Sequence, residues 1–118
     1  MNLVERFAEA FNRRDVEGLL ACFTEDATYR DLFYGPHAGQ AALRGMFGRM
    51  FSEGRDYRWQ MDAIVMDARR AAAEWTFSYT ATAAVPRSEG RGVRFSGMSV
   101  FDLEGGDRGA GRIRAYRE

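Results

Sequence analysis

The spacing of apolar positions changes period partway along the chain, and the change separates helices from strands. Leu3, Phe7, Ala10 and Phe11 recur at helical spacing, with Glu5, Arg6, Glu9 and Arg13 on the opposite side. Asp15 then offers a carboxylate to the free N–H groups of a second helix, Val16 to Phe23, whose buried face is Leu19, Leu20 and Phe23. A single capping residue between two helices makes a tight corner, so both can lean on one sheet. After Thr24-Glu25-Asp26 the period becomes two. Ala27, Tyr29, Asp31 and Phe33 share one face of a strand, and Thr28, Arg30, Leu32 and Tyr34 share the other. Gly35-Pro36 stops that strand and leaves Tyr34–Ala38 as a loop. A third helix is predicted from about Gln40 to Ser52, with Leu43, Met46, Phe47, Met50 and Phe51 as its apolar stripe and Gly54 as its C-terminal cap.

The remainder alternates throughout, as in an antiparallel meander. Tyr57, Trp59, Met61, Ala63 and Val65 alternate with Arg58, Gln60 and Asp62, and Asp67 to Arg70 makes a turn. In the strand from Ala71 to Ala83, Trp75, Phe77 and Tyr79 share one face, while Glu74, Thr76, Ser78, Thr80 and Thr82 share the outer one. Pro86 to Gly92 is a loop, and Val93 to Leu103 sets Phe95, Gly97, Ser99 and Phe101 together. A Gly-rich loop, Glu104 to Gly111, precedes a final strand, Arg112 to Glu118. Three N-terminal helices followed by strands predict one α+β domain over residues 1–118. Long twisted strands with helices gathered on one side bend into a cone around a pocket, which the aromatic faces would line.

Composition sharpens that expectation. Nine Phe, five Tyr, two Trp and six Met are more aromatic and thioether volume than a chain of 118 residues ordinarily packs solid, so a lined cavity competes with a filled core. All 17 basic residues are Arg, and 17 acids balance them. Zero formal charge argues against nucleic acid as a partner, since that needs a basic footprint. The clusters Arg87, Arg91, Arg94 and Arg108, Arg112, Arg114, Arg117 are expected to be solvated surface. A lone cysteine, Cys22 in L-L-A-C-F, forms no intrachain disulfide and is read as a small buried thiol. A lone histidine, His37, rules out a His-rich metal site. The opening M-N-L-V-E-R-F carries charges early and no long apolar run, so neither a signal peptide nor a membrane span is expected, and the protein is placed in the cytoplasm.

Three stretches, F-N-R-R-D-V-E-G-L-L-A-C-F-T-E-D-A-T-Y-R-D, G-Q-A-A-L-R-G-M-F and G-R-I-R-A-Y, together resemble the nuclear transport factor 2-like superfamily in its SnoaL-like and ketosteroid-isomerase-like branch. The resemblance spans nearly the whole chain, and its most specific part is the D-x-E-x-x-x-x-x-F-x-x-D-A-x-Y/V-x-D run from Asp15 to Asp31. It implies a cystatin-like α+β barrel, in which a curved antiparallel (mixed) sheet and three helices close a hydrophobic pocket. It also implies a homodimer formed through the outer sheet face. In ketosteroid isomerases the Asp ending D-A-T-x-x-D is the general base, and Asp31 stands in that place. Their two oxyanion donors, a Tyr on the first helix and a protonated Asp on the penultimate strand, fall at Phe7 and Gly97. Without donors for a developing enolate the larger electrostatic contribution is lost, so steroid isomerisation in that form is not expected. Related epoxide hydrolases use an Asp-Arg-Asp arrangement, and the series Trp75, Phe77, Tyr79 carries neither charge.

Asp31 is therefore the first candidate catalyst. If its face points inward, desolvation raises the carboxyl above its ordinary value of about 3.9 and makes it a better proton carrier near neutrality. Tyr79 and Tyr116 are candidate hydroxyls for orienting a substrate oxygen, and His37 is a second acid/base candidate at the pocket mouth. Phe7, Phe11, Tyr29, Phe33, Phe47, Trp59, Met61, Trp75, Phe77, Phe95, Ser99 and Phe101 are the expected pocket walls. The expected activity is an isomerisation, aldol-type cyclisation or dehydration of a small hydrophobic, cyclic or polyketide-like molecule, with no cofactor or metal. The alternatives are a non-catalytic small-molecule-binding protein of the same fold, or a dimeric interaction module.

Overall fold

The opening apolar stripe becomes α1 (Leu3–Asn12), which buries Leu3, Val4, Phe7, Ala10 and Phe11, in a computed structural model that describes residues 1–105 and 111–118. Its start is fixed by a reciprocal cap. The Glu5 N–H donates to the Asn2 side chain, and the Asn2 N–H donates to the Glu5 carboxylate, each at 2.9 Å. Arg14 follows in the left-handed region, at φ 57°, and turns the chain so that Asp15 can cap α2 (Val16–Ala21) through the Gly18 N–H. The second helix ends sooner than its apolar pattern indicates. Cys22 caps it and Phe23 already belongs to β1 (Phe23–Asp31), where its ring is buried as a strand residue. The third helix, α3 (Gln40–Glu53), buries the predicted Leu43, Met46, Phe47, Met50 and Phe51.

Gly35–Ala38 is not a loop. It forms a short strand, β2, which returns antiparallel along β1 and sets His37 opposite Tyr29. Pro36 is tolerated there because β2 is an edge strand, where a missing N–H can face outward. The remaining strands are β3 (Gly54–Met66), β4 (Arg70–Ala81), β5 (Gly92–Glu104) and β6 (Arg112–Arg117). The sheet order is β2-β1-β6-β5-β4-β3. Among the described residues the β1–β6 pairing is parallel and the other four are antiparallel. Of the predicted Gly-rich loop, residues 106–110, with Arg108, lie outside the described residues.

Irregularities bend this sheet around the helices. In β3 the register shifts between Met61 and Ala63, where Asp62 is the extra residue against Trp75 and Glu74. The alternation inverts beyond that bulge: Ile64 turns to the core and Val65, predicted inward, is 71% exposed. Two side chains tie helices to the sheet. Asn12 behaves like a strand residue against the open edge of β3, its amide accepting from the Trp59 N–H and donating to the Trp59 carbonyl. Arg14 donates to the carbonyls of Phe51 and Gly54, satisfying the C-terminal end of α3 with a cation where the helix dipole favours one. The result is a six-stranded mixed sheet whose inner face meets three helices, an α+β fold as expected. Among the described residues no helix is long and apolar enough to cross a membrane.

Candidate active site

Between β1, β3, β4, β5, the end of β6 and the C-terminal half of α3 lies a cavity of about 270 Å³. Inward alternation on β4 supplies Trp75, Phe77 and Tyr79; β3 adds Tyr57 and Trp59, and β5 adds Phe95. The wall is thus aromatic on most sides, and rings meet edge to face, as in Trp59 against Trp75 and Phe77 at centroid separations of 5.6 and 5.1 Å.

Two carboxylates on the cavity wall lie within electrostatic reach of each other. Asp31 closes β1 on the same inward face as Ala27 and Tyr29, and is 9% exposed. Where the chain leaves the strand, its Oδ1 accepts from the Phe33 N–H at 2.9 Å and the Tyr34 N–H at 2.6 Å. This local turn fixes the carboxylate without a guanidinium. Among the described residues Oδ2 has no hydrogen-bond partner.

The second carboxylate is Glu118, which follows β6 and lines the same cavity. It ends a chain of donors: Trp75 Nε1–H to Ser99 Oγ, Ser99 O–H to the Tyr116 hydroxyl, and Tyr116 O–H to Glu118 Oε2, each at 2.7 Å. The Leu32 N–H donates to Oε1 at 3.4 Å. Burial pushes the Glu118 carboxyl above its ordinary value and the charge on Asp31 adds to that, while the Tyr116 and Leu32 hydrogen bonds work in the opposite direction. Tyr29 stacks on Tyr116 with centroids 4.1 Å apart, and burial raises both phenols well above their ordinary range.

A third carboxylate on the wall, Glu53, is paired internally. Tyr34 donates to Glu53 at 2.5 Å, and the Arg49 guanidinium lies over the Tyr34 ring and 3.5 Å from Glu53. The Tyr57 hydroxyl donates to the Met50 carbonyl. Burial is the first cause of the raised phenol values at Tyr34, Tyr57 and Tyr79. Tyr79 differs from the other two, because no hydrogen bond engages its hydroxyl among the described residues.

These positions revise several sequence expectations. Asp31, Tyr29, Phe33, Trp59, Trp75, Phe77, Tyr79 and Phe95 all line the cavity. Phe33 does so from the turn after β1 rather than from the strand, 70% exposed and against Phe95. Phe7, Phe11, Phe47 and Phe101 are not walls; each is fully buried, because α1 and α3 press against the sheet and fill that side with rings. Met61 packs on the core beside the β3 bulge without reaching the cavity. Tyr116 and Ser99 stand one layer behind the wall, with their hydroxyls committed to the donor chain. His37, held on the edge strand opposite Tyr29, faces a separate depression lined by Arg30, Pro36, Ala115 and Arg117, and among the described residues its buried Nδ1 has no partner.

Residues 4–110 match the SnoaL-like domain family. The chain belongs to that family. No curated relative matches the sequence. Among solved structures, this SnoaL-like domain is similar to a candidate polyketide cyclase from Xanthomonas campestris pv. campestris, with 28% identity, a TM-score of 0.74, and coverage of 98% of this chain and 84% of the other. An NTF2-like protein of unknown function from Burkholderia pseudomallei shares 21% identity at a TM-score of 0.79, over 98% of this chain and 85% of its own. An epoxide hydrolase of the LEH-like type from M. tuberculosis shares 20% identity at a TM-score of 0.76, over 98% and 77% respectively. The last two likenesses are of fold.

The structure gives a physical reason for the glycine that this SnoaL-like domain carries on β5. A Cβ on Gly97 would come within 2.6 Å of the Trp75 ring, so the indole occupies the space an acidic side chain would need. Phe7 likewise lies among Phe23, Trp59, Phe101 and Tyr116, away from the cavity. Sequence reasoning missed Glu118, Glu53, Arg49 and Tyr34. The signal for Glu118 was present: two residues beyond Tyr116 in a strand, it shares that residue's inward face.

Proposed function

We propose that this SnoaL-like domain is a cofactor-independent enzyme doing acid/base chemistry on a small hydrophobic, cyclic or polyketide-like molecule: an isomerisation, aldol-type cyclisation or dehydration. The observation that carries the reading is the Asp31 carboxylate, buried on the cavity wall with one oxygen held by backbone N–H groups and the other unengaged. In this scheme Oδ2 removes a proton from a carbon beside a carbonyl and returns it to a second atom of the same molecule, so that no net proton is consumed. The free Tyr79 hydroxyl donates to the substrate oxygen as negative charge builds there, supplying a donor where Phe7 and Gly97 supply none. Glu118 is the second proton carrier, oriented by Tyr116. Trp59, Trp75 and Phe77 hold a flat ring and exclude water.

A panel of cyclic ketones and β-ketoesters incubated in D₂O tests this whatever the product. Deuterium entering the α position faster with protein than without supports proton abstraction in the cavity. Binding with no exchange and no turnover across the panel favours the second reading, a non-catalytic binding protein, for which the loss of both oxyanion donors speaks. We also propose that the protein acts in the cytoplasm as a homodimer joined through the outer sheet face. There Val65 and Met98 are exposed, and Val65, Ala72 and Val100 run side by side across β3, β4 and β5.

A further inference from the structure

The carboxylates that line the cavity differ in charge compensation. Glu53 has Arg49 and the Tyr34 hydroxyl. Among the described residues Asp31 and Glu118 form no ion pair and are held by neutral donors: the N–H groups of Leu32, Phe33 and Tyr34 and the Tyr116 hydroxyl. The nearest chain neighbours point elsewhere: Arg117 is bound to Asp102 at 3.0 Å, and Arg30 is exposed on the opposite face of β1. Asp31 is buried and Glu118 half-buried; carboxylates so placed without an ion pair are costly, and a bound cation lowers that cost. Aromatic side chains line the same cavity: Trp59, Trp75 and Phe77 on its strands, and Phe95 beside Phe33. Rings with carboxylates form a site for a desolvated organic ammonium group, because the ring face carries the negative end of the quadrupole. Among the described residues no three His, Cys, Asp or Glu side chains gather as metal ligands, so the geometry does not offer a chelate.

We propose that the cavity takes a small organic amine, its ammonium head at Asp31 and Glu118 and its apolar body against Trp59, Trp75 and Phe77. The proposal rests on this cavity being the ligand site named above, but not on turnover. A protonated amine inside about 270 Å³ is limited to a compact molecule with a single ring or a short branched chain.

The test compares choline with neohexanol, its uncharged isostere in which a quaternary carbon replaces the nitrogen, by tryptophan fluorescence titration of the full chain. The expected result is that choline binds about tenfold more tightly or better. Asp31→Asn and Glu118→Gln should each reduce that preference severalfold while leaving neohexanol binding unchanged. Phe33→Leu, at an exposed rim position whose loss leaves the fold intact, should weaken choline more than neohexanol. Equal binding of the two probes, tighter binding of neohexanol, or no binding of choline overturns the proposal. Deuterium exchange into a neutral ketone that persists in such a case leaves the acid/base reading standing while this one falls.

Discussion

At the scale of single residues, Asp31 and Glu118 show how two carboxylates in one cavity receive different settings. The Asp31 carboxylate is fixed by the turn it begins, with Oδ1 spanning the N–H groups of residues 33 and 34. Glu118 is held by the Leu32 N–H and by Tyr116, whose hydroxyl in turn accepts from Ser99 across the sheet. Burial raises the Glu118 carboxyl, so the folded state holds its proton to higher pH than the unfolded chain. Stability linked to this group is therefore greatest at low pH and falls as pH rises from the ordinary value of 4.5 through the raised folded one. Glu118→Gln should flatten the stability profile across that window, measured by urea unfolding at a series of pH values. An unchanged profile would mean that Glu118 is solvated. The identity of Asp31 was legible because it closes a period-two run and ends D-A-T-Y-R-D. The inward placing of Glu118 was legible from its spacing to Tyr116, but the hydroxyl relay that orients it was not, because no local pattern encodes a bond between strands.

At the scale of elements, the sequence pattern held wherever apolar spacing was regular and failed where a turn or bulge reset it. The apolar stripe of α3 predicted its buried face residue by residue, and that of α1 gave Leu3, Phe7, Ala10 and Phe11 but not Val4 and Ala8, which are buried as well. The edge strand β2 was obscured by Pro36, a residue that interrupts strands unless its missing N–H faces away from the partner. The extra residue Asp62 inverted the end of β3, and a strict alternation cannot anticipate that. The clamp between α1 and β3 was equally hidden, since Asn12 and Trp59 are far apart in the chain. Asn12→Ala should cost about 1–3 kcal/mol, because both Trp59 backbone groups lose their partner at the sheet edge. Near-UV circular dichroism should change in the same variant as the Trp59 indole loses its setting. Wild-type stability and an unaltered tryptophan signal would show that strand pairing alone holds β3.

For the whole molecule, core and cavity divide one aromatic interior. Rings carried by α1 and α3 pack with Phe23, Phe101 and Ile113 into a filled core, whereas the rings of β3, β4 and β5 leave space beside the carboxylates. Composition had indicated either a cavity or a solid core, and the fold contains both. It could not assign each ring to one or the other, because that depends on how closely the helices approach the sheet. On the far face, Arg70 and Arg117 both bind Asp102, at 2.9 and 3.0 Å, and stitch β4, β5 and β6 together beside the Val65–Ala72–Val100 strip. If that face joins two copies, light scattering should give a dimer mass for the wild type and a monomer mass for Val65→Glu combined with Met98→Glu. A monomeric wild type would remove the proposed dimer.

The claim on which the functional account depends is that Asp31 moves a proton, and Asp31→Asn addresses it directly. For a ligand identified by deuterium exchange, the account predicts that this variant binds within about threefold of wild type and exchanges at least a hundredfold more slowly, about the loss expected for a positioned base. Exchange at the wild-type rate in Asp31→Asn, with binding intact, would contradict it.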